Sequence, residues 1–214
     1  GLGDVYKRQI AAVKGALEIV TSRVTPGTPE AEFADIGVKE LARLEKLVGE
    51  FLTYARPHDP ALRPTDVHEI VERVVALLHL QAERKAVPLV LQRSTAMPLL
   101  RVDPGQIAQV IFNVVLNAIQ AVPTRGRIEI QEYAEPEWSV IDVIDDGPGI
   151  SPEHALRLFD PFFTTKSRGT GLGLAISQRI VMAHGGTIEA LAGRPSGSVF
   201  RIRLPLPRET AGAS

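Results

Sequence analysis

Asp145-Asp146-Gly147-Pro148-Gly149-Ile150 follows the apolar run Trp138 to Ile144, which alternates as a strand does. A carboxylate at the end of that strand, Asp145, can accept a hydrogen bond from an exocyclic amine. Gly147 and Gly149 let a ligand lie close to the backbone. A carboxylate facing an amino group is how adenine can be told from guanine, which presents a carbonyl there. By itself the same hexapeptide is also an ordinary Asp-Gly turn, so its neighbours must decide.

Upstream lies Asn113-Val114-Val115-Leu116-Asn117-Ala118, on a predicted helix running from an Asp103 cap and Pro104 to about Ala121. Residues four apart share a helix face, so both carboxamides project to one side. An amide oxygen is a hard ligand for Mg²⁺, and its NH₂ can donate to a phosphate oxygen. Two asparagines on a wet helix face fit the same spacing. Downstream lies Gly169-Thr170-Gly171-Leu172-Gly173-Leu174, three alternating glycines where a helix begins. Their N–H groups can receive phosphates at that helix N-terminus. No Lys-Ser/Thr follows the last glycine, as a Walker loop requires, and no strand precedes the run, as a dinucleotide fingerprint requires. Between these segments stands Phe159-Asp160-Pro161-Phe162-Phe163-Thr164-Thr165-Lys166. Its aromatics suit a hinge, Lys166 can reach a terminal phosphate, and the stretch suits a lid that closes over a nucleotide.

The chain around these segments is ordinary in bulk. It has 214 residues, 44% hydrophobic and 23% charged, with Lys+Arg 24 against Asp+Glu 25 and a net charge of -1. This composition supports one or two folded domains and lends nothing to a nucleic-acid footprint or a polybasic membrane anchor. With no cysteine, a disulfide scaffold, a thiol nucleophile and Cys-based metal sites are all excluded. No apolar run approaches the roughly 18 residues of a membrane span.

The first part of the chain has a different texture. Ile10, Val13, Leu17 and Val20 step as a coiled-coil-like helix, and Arg23 to Pro29 breaks it. A second helix is expected from about Glu30, striped by Leu41, Leu44, Val48, Phe51 and Ala55 and ended by Pro57 and Pro60. Such a hairpin has little core of its own, and a symmetric four-helix dimer through residues 10–57 would bury both stripes. Glu40, Glu45, Lys39 and Lys46 read as its solvated outer face. Residues 58–65 read as a linker, 66–207 as a second domain and 208–214 as a tail. In the second domain a helix capped by Thr65 or Asp66 spans Val67 to Leu78. Strands are expected over Leu89–Gln92, Arg127–Tyr133, Trp138–Ile144, Thr187–Leu191 and Ser198–Leu204, with a helix to Ala183 ended by Gly185-Gly186. Helices covering one face of a largely antiparallel sheet make this an α/β sandwich.

Taken in order, Asn-x-x-x-Asn-Ala, Asp-x-Gly-x-Gly-Ile, Phe-x-Pro-Phe-Phe and Gly-Thr-Gly-Leu-Gly-Leu resemble the N, G1, F and G2 boxes of histidine kinase catalytic domains. His184-Gly185-Gly186 and Gly197-Ser198-Val199-Phe200 fit the rest of that pattern, and the resemblance spans about Thr65 to Pro207. The Phe-Phe-Thr-Thr-Lys wording is most similar to the nitrogen-regulation branch of sensor kinases. The preceding hairpin resembles the dimerisation and phosphotransfer domain. The resemblance implies a Bergerat ATP-binding fold and ATP with Mg²⁺ as cofactors. It implies that Asn117 ligates Mg²⁺, Asn113 lies beside the phosphates, and Asp145 binds the adenine amine. Gly147 and Gly149 would shape the base pocket. Gly169, Thr170, Gly171, Leu172 and Gly173 would form the phosphate lid, with Lys166 as a phosphate contact. It further implies a homodimer, a response-regulator receiver domain as partner, and a cytoplasmic location, whether or not the parent protein is membrane-anchored upstream. Gyrase-type relatives carry a Glu at the Asn113 position to activate water. An Asn cannot act as that base, which favours phosphoryl transfer over steady hydrolysis.

One departure stands out. The family's phosphate acceptor lies in a His-Glu-x-x-Asn-Pro-Leu/Ile segment continued by something like Ala-Ala-Val-Lys-Gly, and here Ile10-Ala11-Ala12-Val13-Lys14-Gly15 supplies its last residue and the continuation. The His would then fall at Asp4, and none of His58, His68, His79, His154 and His184 replaces it. Residues 1–9 read GLGDVYKRQ, and DVYKRQ is what a transposon-end sequencing adapter encodes, so these nine are expected to be adapter-derived and the chain N-terminally truncated. Two other readings compete. One is a non-enzymatic, nucleotide-responsive dimerisation module. The other is a gyrase- or chaperone-type ATPase or an anti-sigma-type serine kinase, against which the hairpin and Asn113 both speak.

Overall fold

The computed structural model describes residues 2–25, 27–55, 58–93, 97–166, 169–193 and 196–207, with side chains from Arg8 onward. Gly1, Pro26, Pro57 and the expected tail 208–214 lie outside the described residues. The chain divides into two compact units, 1–58 and 59–214.

The first unit is a helical hairpin. Helix α1 runs Leu2–Thr21 and α2 runs Pro29–Ala55. The first helix therefore begins eight residues before Ile10, so the segment 2–9 is helical. Thr28 starts the second helix: its Oγ1 accepts from Ala31 N at 3.3 Å, and Pro29 follows at the position where a missing N–H costs nothing. The two helices pack antiparallel, with Lys14 Nζ 3.4 Å from Glu45 Oε2. A Cβ on Gly37 would stand 2.8 Å from Leu17 Cδ2, so the small residue admits the close approach. Glu45 thus ties the helices together, whereas Lys39, Glu40 and Lys46 pair locally along α2 with Asp35, Arg43 and Glu50.

The second unit begins inside the stretch read as linker. Arg63–Thr65 is a strand, β1, antiparallel to β3, Leu100–Val102. Three-residue strands carry too little periodicity to be read from sequence. The main sheet has the order β2-β4-β5-β7-β6, formed by Leu89–Arg93, Ile128–Ala134, Trp138–Asp145, Ser198–Pro205 and Thr187–Ala192. It is antiparallel except where β2 runs parallel to β4. Helices α3 (Val67–Glu83), α4 (Pro104–Ala121) and α6 (Gly173–Ala183) pack on it, and a four-residue helix, α5 (Pro152–Ala155), lies between β5 and α6. This is the expected α/β sandwich, preceded by the expected hairpin.

Alternation explains the layering. Phe200, Ile202 and Leu204 of β7 are buried, as are Ile128 and Ile130 of β4, while the residues between them are half-exposed. Against this face α4 sets Ile107, Val110, Ile111, Val114, Val115, Ala118 and Ile119, all buried. Asp103 caps α4 by accepting from Gly105 N at 2.9 Å and Gln106 N at 3.1 Å. Burial works against the charged carboxyl, but these N–H groups and that of Ala61 hold it below the ordinary range. Asp66 rather than Thr65 caps α3, accepting from His68 N at 2.9 Å.

Candidate functional site

Helix α4 carries the two asparagines on the margin of its buried stripe, both half-buried. Asn113 Nδ2 donates to Gly173 O at 3.3 Å and to Ser177 Oγ at 3.4 Å, which ties the helix face to the first turn of α6. Ser177 itself donates to Gly173 O at 2.9 Å. One turn on, Asn117 Oδ1 accepts from Lys166 Nζ at 2.7 Å, and Gln120 Oε1 accepts from the same ammonium at 2.5 Å. The C-terminus of α4 is closed by Lys85, whose Nζ donates to Ile119 O at 2.7 Å and Val122 O at 2.8 Å. A cation there complements the negative end of the helix dipole.

Asp145 ends β5 and is buried. Its Oδ1 accepts from Gly147 N at 2.9 Å, and its Oδ2 accepts from the Ser198 hydroxyl. Ser198 is opposite Asp145 in the β5–β7 register, a pairing no local pattern in the sequence discloses. The surroundings admit no side chains. A Cβ on Gly147 would stand 2.7 Å from Asp145 Oδ1, and one on Gly149 3.1 Å from Gly197 O. Gly197 has φ +88°, and its Cβ would lie 1.8 Å from Asp145 O. The carboxylate is therefore held on two sides by donors and walled by glycine backbone, with lone pairs to spare.

From α5 to α6 the chain forms the segment expected as a lid. Phe163, half-buried, packs under the Arg157 guanidinium at 4.9 Å and beside His154 at 5.6 Å. Of the segment's three aromatics, Phe162 is exposed while Phe159 and Phe163 are half-buried. Phe162 has φ +66°, and its N–H donates to Gly171 O at 3.0 Å. Gly171 has φ +69°, and a Cβ there would lie 2.4 Å from the Phe162 carbonyl carbon. On Gly169 a Cβ would lie 2.3 Å from Thr164 Oγ1. The alternating glycines thus let the run fold directly against the Phe-Phe-Thr-Thr-Lys segment. Leu172 is fully buried, so only its backbone is available to a ligand; its N–H donates to Thr170 Oγ1 at 3.4 Å. Helix α6 starts with no side-chain cap, which leaves first-turn donors for an anion.

Among the described residues no three of His, Cys, Asp and Glu are placed to hold a metal. The cation-binding chemistry here is amide oxygen instead. Asn117 Oδ1 and Gln120 Oε1 converge on one ammonium, and two neutral hard oxygens suit Mg²⁺ when phosphate and water supply the remaining ligands.

The histidines are structural or peripheral. His184 is buried; its Nδ1 donates to Ile180 O at 2.8 Å and its Nε2 accepts from Asp103 N at 2.9 Å, which fixes the orientation of the ring between α6 and the start of α4. His68 lies 2.5 Å through Nδ1 from Glu132 Oε2. The hydrogen bond to Glu132 raises the His68 pKa above the ordinary imidazole value, while burial raises the pKa of Glu132. His79 pairs with Glu83 at 3.1 Å on the outside of α3. His58 is exposed.

Known proteins bear on this arrangement. Residues 102–208 match the family described as histidine kinase-, DNA gyrase B- and HSP90-like ATPase. The sensor histidine kinase ZraS of Escherichia coli (strain K12) is 32% identical over 206 residues, 96% of this chain and 44% of that protein. Sporulation kinase E of Bacillus subtilis (strain 168) is 31% identical over 210 residues, 96% of this chain and 28% of that protein. The chain thus spans less than half the length of these curated relatives. Among solved structures, the catalytic domain of histidine kinase ThkA has a TM-score of 0.64 at 31% identity, covering 68% of this chain and 95% of that one. ThkA in complex with the response regulator protein TrrA has a TM-score of 0.73 at 26% identity, covering 97% and 60%. Full-length ShkA in complex with AMPPNP shares the fold, with a TM-score of 0.83 at 23% identity, covering 96% and 44%.

Proposed function

Because this chain belongs to the histidine kinase-, DNA gyrase B- and HSP90-like ATPase family, we propose that it is the ATP-binding, phosphoryl-donating part of a sensor histidine kinase. The observation that carries the reading is Asp145. It is a buried carboxylate oriented by Gly147 N and the Ser198 hydroxyl and walled by glycine, shaped to take an exocyclic adenine amine. Asn113 and the α6 N-terminus would face the phosphates, with Gly169, Thr170, Gly171, Leu172 and Gly173 contributing backbone donors. Asn117 would hold Mg²⁺, which supplies charge neutralisation on the transferring phosphate. With Asn113 tied to Gly173 O and Ser177, the site offers an orienting amide where hydrolysis needs a base. In-line positioning and electrostatics would then carry the rate.

Several parts of this reading rest on likeness. The Phe-Phe-Thr-Thr-Lys wording supports the nitrogen-regulation type. The exposed apolar stripes of α1 and α2 support a homodimer through the hairpin. The similarity to ThkA, solved with TrrA, supports a receiver domain as the next phosphate acceptor. No helix among the described residues is long and apolar enough to cross a membrane, and we assign the site to the cytoplasm, where ATP is available. Asp4 stands at the expected acceptor position, and residues 1–9 are assigned to an adapter. Resequencing the locus from an independent clone checks that assignment, and the same nine codons there would refute it.

Equilibrium titration with a fluorescent ATP analogue tests the central claim. Binding should be Mg²⁺-dependent, displaced by ATP rather than GTP, and weakened about tenfold or more by Asp145→Asn. Failure of the wild-type chain to bind, or equal displacement by GTP, would overturn it. Incubation with labelled ATP should give no acid-labile phosphate on the chain alone, and a stable phosphohistidine on it would refute the loss of the acceptor.

A further inference from the structure

Lys166 lies on the lid segment, 49 residues from Asn117 and 46 from Gln120, yet its ammonium bridges the side-chain oxygens of both. Asn117 and Gln120 are three apart on α4, hence neighbours on one face, and both lie in its last turns. There the helix dipole favours positive charge. That field is strong enough in this molecule to gather a second cation, Lys85, on the main-chain carbonyls of the same turn. Lys85 reaches main-chain oxygens, and Lys166 reaches the side-chain oxygens of Asn117 and Gln120. A lysine ammonium has three donors and no acceptor, so the oxygen of each amide, rather than its NH₂, must face it. Two oxygens turned toward one point form a cation seat.

Building on the ATP reading above, we propose that Gln120 and Asn117 together form this seat, that Lys166 occupies it in the nucleotide-free chain, and that Lys166 cedes it when Mg²⁺-nucleotide binds. An ammonium and a divalent ion cannot share two oxygens, because like charges a few ångströms apart repel. Lys166 therefore serves as a stand-in ion that keeps the oxygens oriented and pins the lid to α4. Once released, the same side chain is free to follow the phosphates. Gln120 acquires a role in cation binding that its place beyond the Asn-x-x-x-Asn pair does not suggest, and metal loading becomes coupled to lid release.

Two variants separate the parts. Hydrogen exchange of the nucleotide-free full chain reports the latch: lid amides around Phe163–Lys166 and Gly169–Gly171 should exchange about three- to tenfold faster in both Lys166→Met and Gln120→Leu. The Mg²⁺ concentration for half-maximal binding of a fluorescent ADP analogue should move in opposite directions. It should fall about threefold in Lys166→Met, which loses a competitor, and rise about threefold in Gln120→Leu, which loses an oxygen. A purely structural surface contact would move exchange without splitting the two variants, and unchanged exchange or same-sign shifts in Mg²⁺ requirement would overturn the proposal. If the wild-type chain binds no nucleotide, the ATP reading fails by itself, whereas the exchange measurement still judges the latch.

Discussion

The two units of this chain handle the same kind of residue in opposite ways. Among the described residues of the hairpin only Ala34 is buried, while Phe33 is 76% exposed, Ile36 61% and Val13 54%. In the second unit Ile70, Leu78, Ile111, Ile128, Ile130 and Ile202 are all sealed from solvent. The helices of both units are amphipathic, so the difference lies in what each stripe has to face. A sheet offers α3, α4 and α6 a second apolar layer, whereas two helices alone offer each other one seam. The second unit closes its own core, and the hairpin leaves much of its apolar surface exposed.

The largest effect should come from breaking that closed core. Leu78→Ala should lower stability by about 2–5 kcal/mol, seen as a reduced urea midpoint of the full chain. Trp138, the single tryptophan, stands in β5 and reports this unit. Next comes the wall of the candidate site. Gly197→Ala meets both a positive φ and the Asp145 carbonyl, and should cost about 1–3 kcal/mol and abolish binding of an ATP analogue. Intact binding would mean that the glycine wall does not position Asp145.

A smaller effect is expected from the His68–Glu132 pair, which joins α3 to β4, an inner strand of the sheet. The folded-state His68 pKa is raised, so the native state holds more protons than the unfolded one near neutrality, and stability falls as pH rises. The stabilisation is complete below the unfolded value of 6.5 and is lost as pH passes through the higher folded value. The raised Glu132 pKa adds a loss of the same sign at lower pH. Thermal midpoints should therefore drop by a few degrees from mildly acidic to mildly basic pH, and His68→Gln should flatten the upper part of that slope.

The smallest effect on chain stability belongs to the hairpin. Ile36→Ser should leave the Trp138-reported midpoint within about 0.5 kcal/mol of wild type. The same substitution should raise the dissociation constant of the proposed homodimer about tenfold, measured by sedimentation. A chain that never self-associates would show that the hairpin stripes await some other surface.

Much of the fold was legible because long elements advertise their period. Helix α4 showed its start through Asp103-Pro104, and Ile107, Val110, Ile111, Val114 and Val115 form its buried stripe. Strands β4 and β7 alternate over seven or eight residues, whereas β5, expected to alternate, is buried on both faces because it lies in the middle of the sheet. By contrast β1, β3 and α5 are three or four residues long and depend on partners or caps rather than on a repeat. The candidate site divides in the same way. Asn113, Asn117, Asp145 and the glycine run could be read as ordered segments. Ser198 and Gln120 could not, because one acts through strand register and the other through a lid that folds back across 46 residues.

Residue type and spacing alone determined which chemistry the chain can offer: paired amides on one helix face, a carboxylate at a strand end, and glycines where backbone must come close. Those are local facts, set by helical and strand geometry over a few residues. The tertiary structure decided how they are held. It placed the Ser198 hydroxyl on Asp145, pressed Gly171 against Phe162, and brought Lys166 onto Asn117 and Gln120. Such contacts join residues far apart in sequence, and only the packing of helices on a registered sheet selects which of them meet.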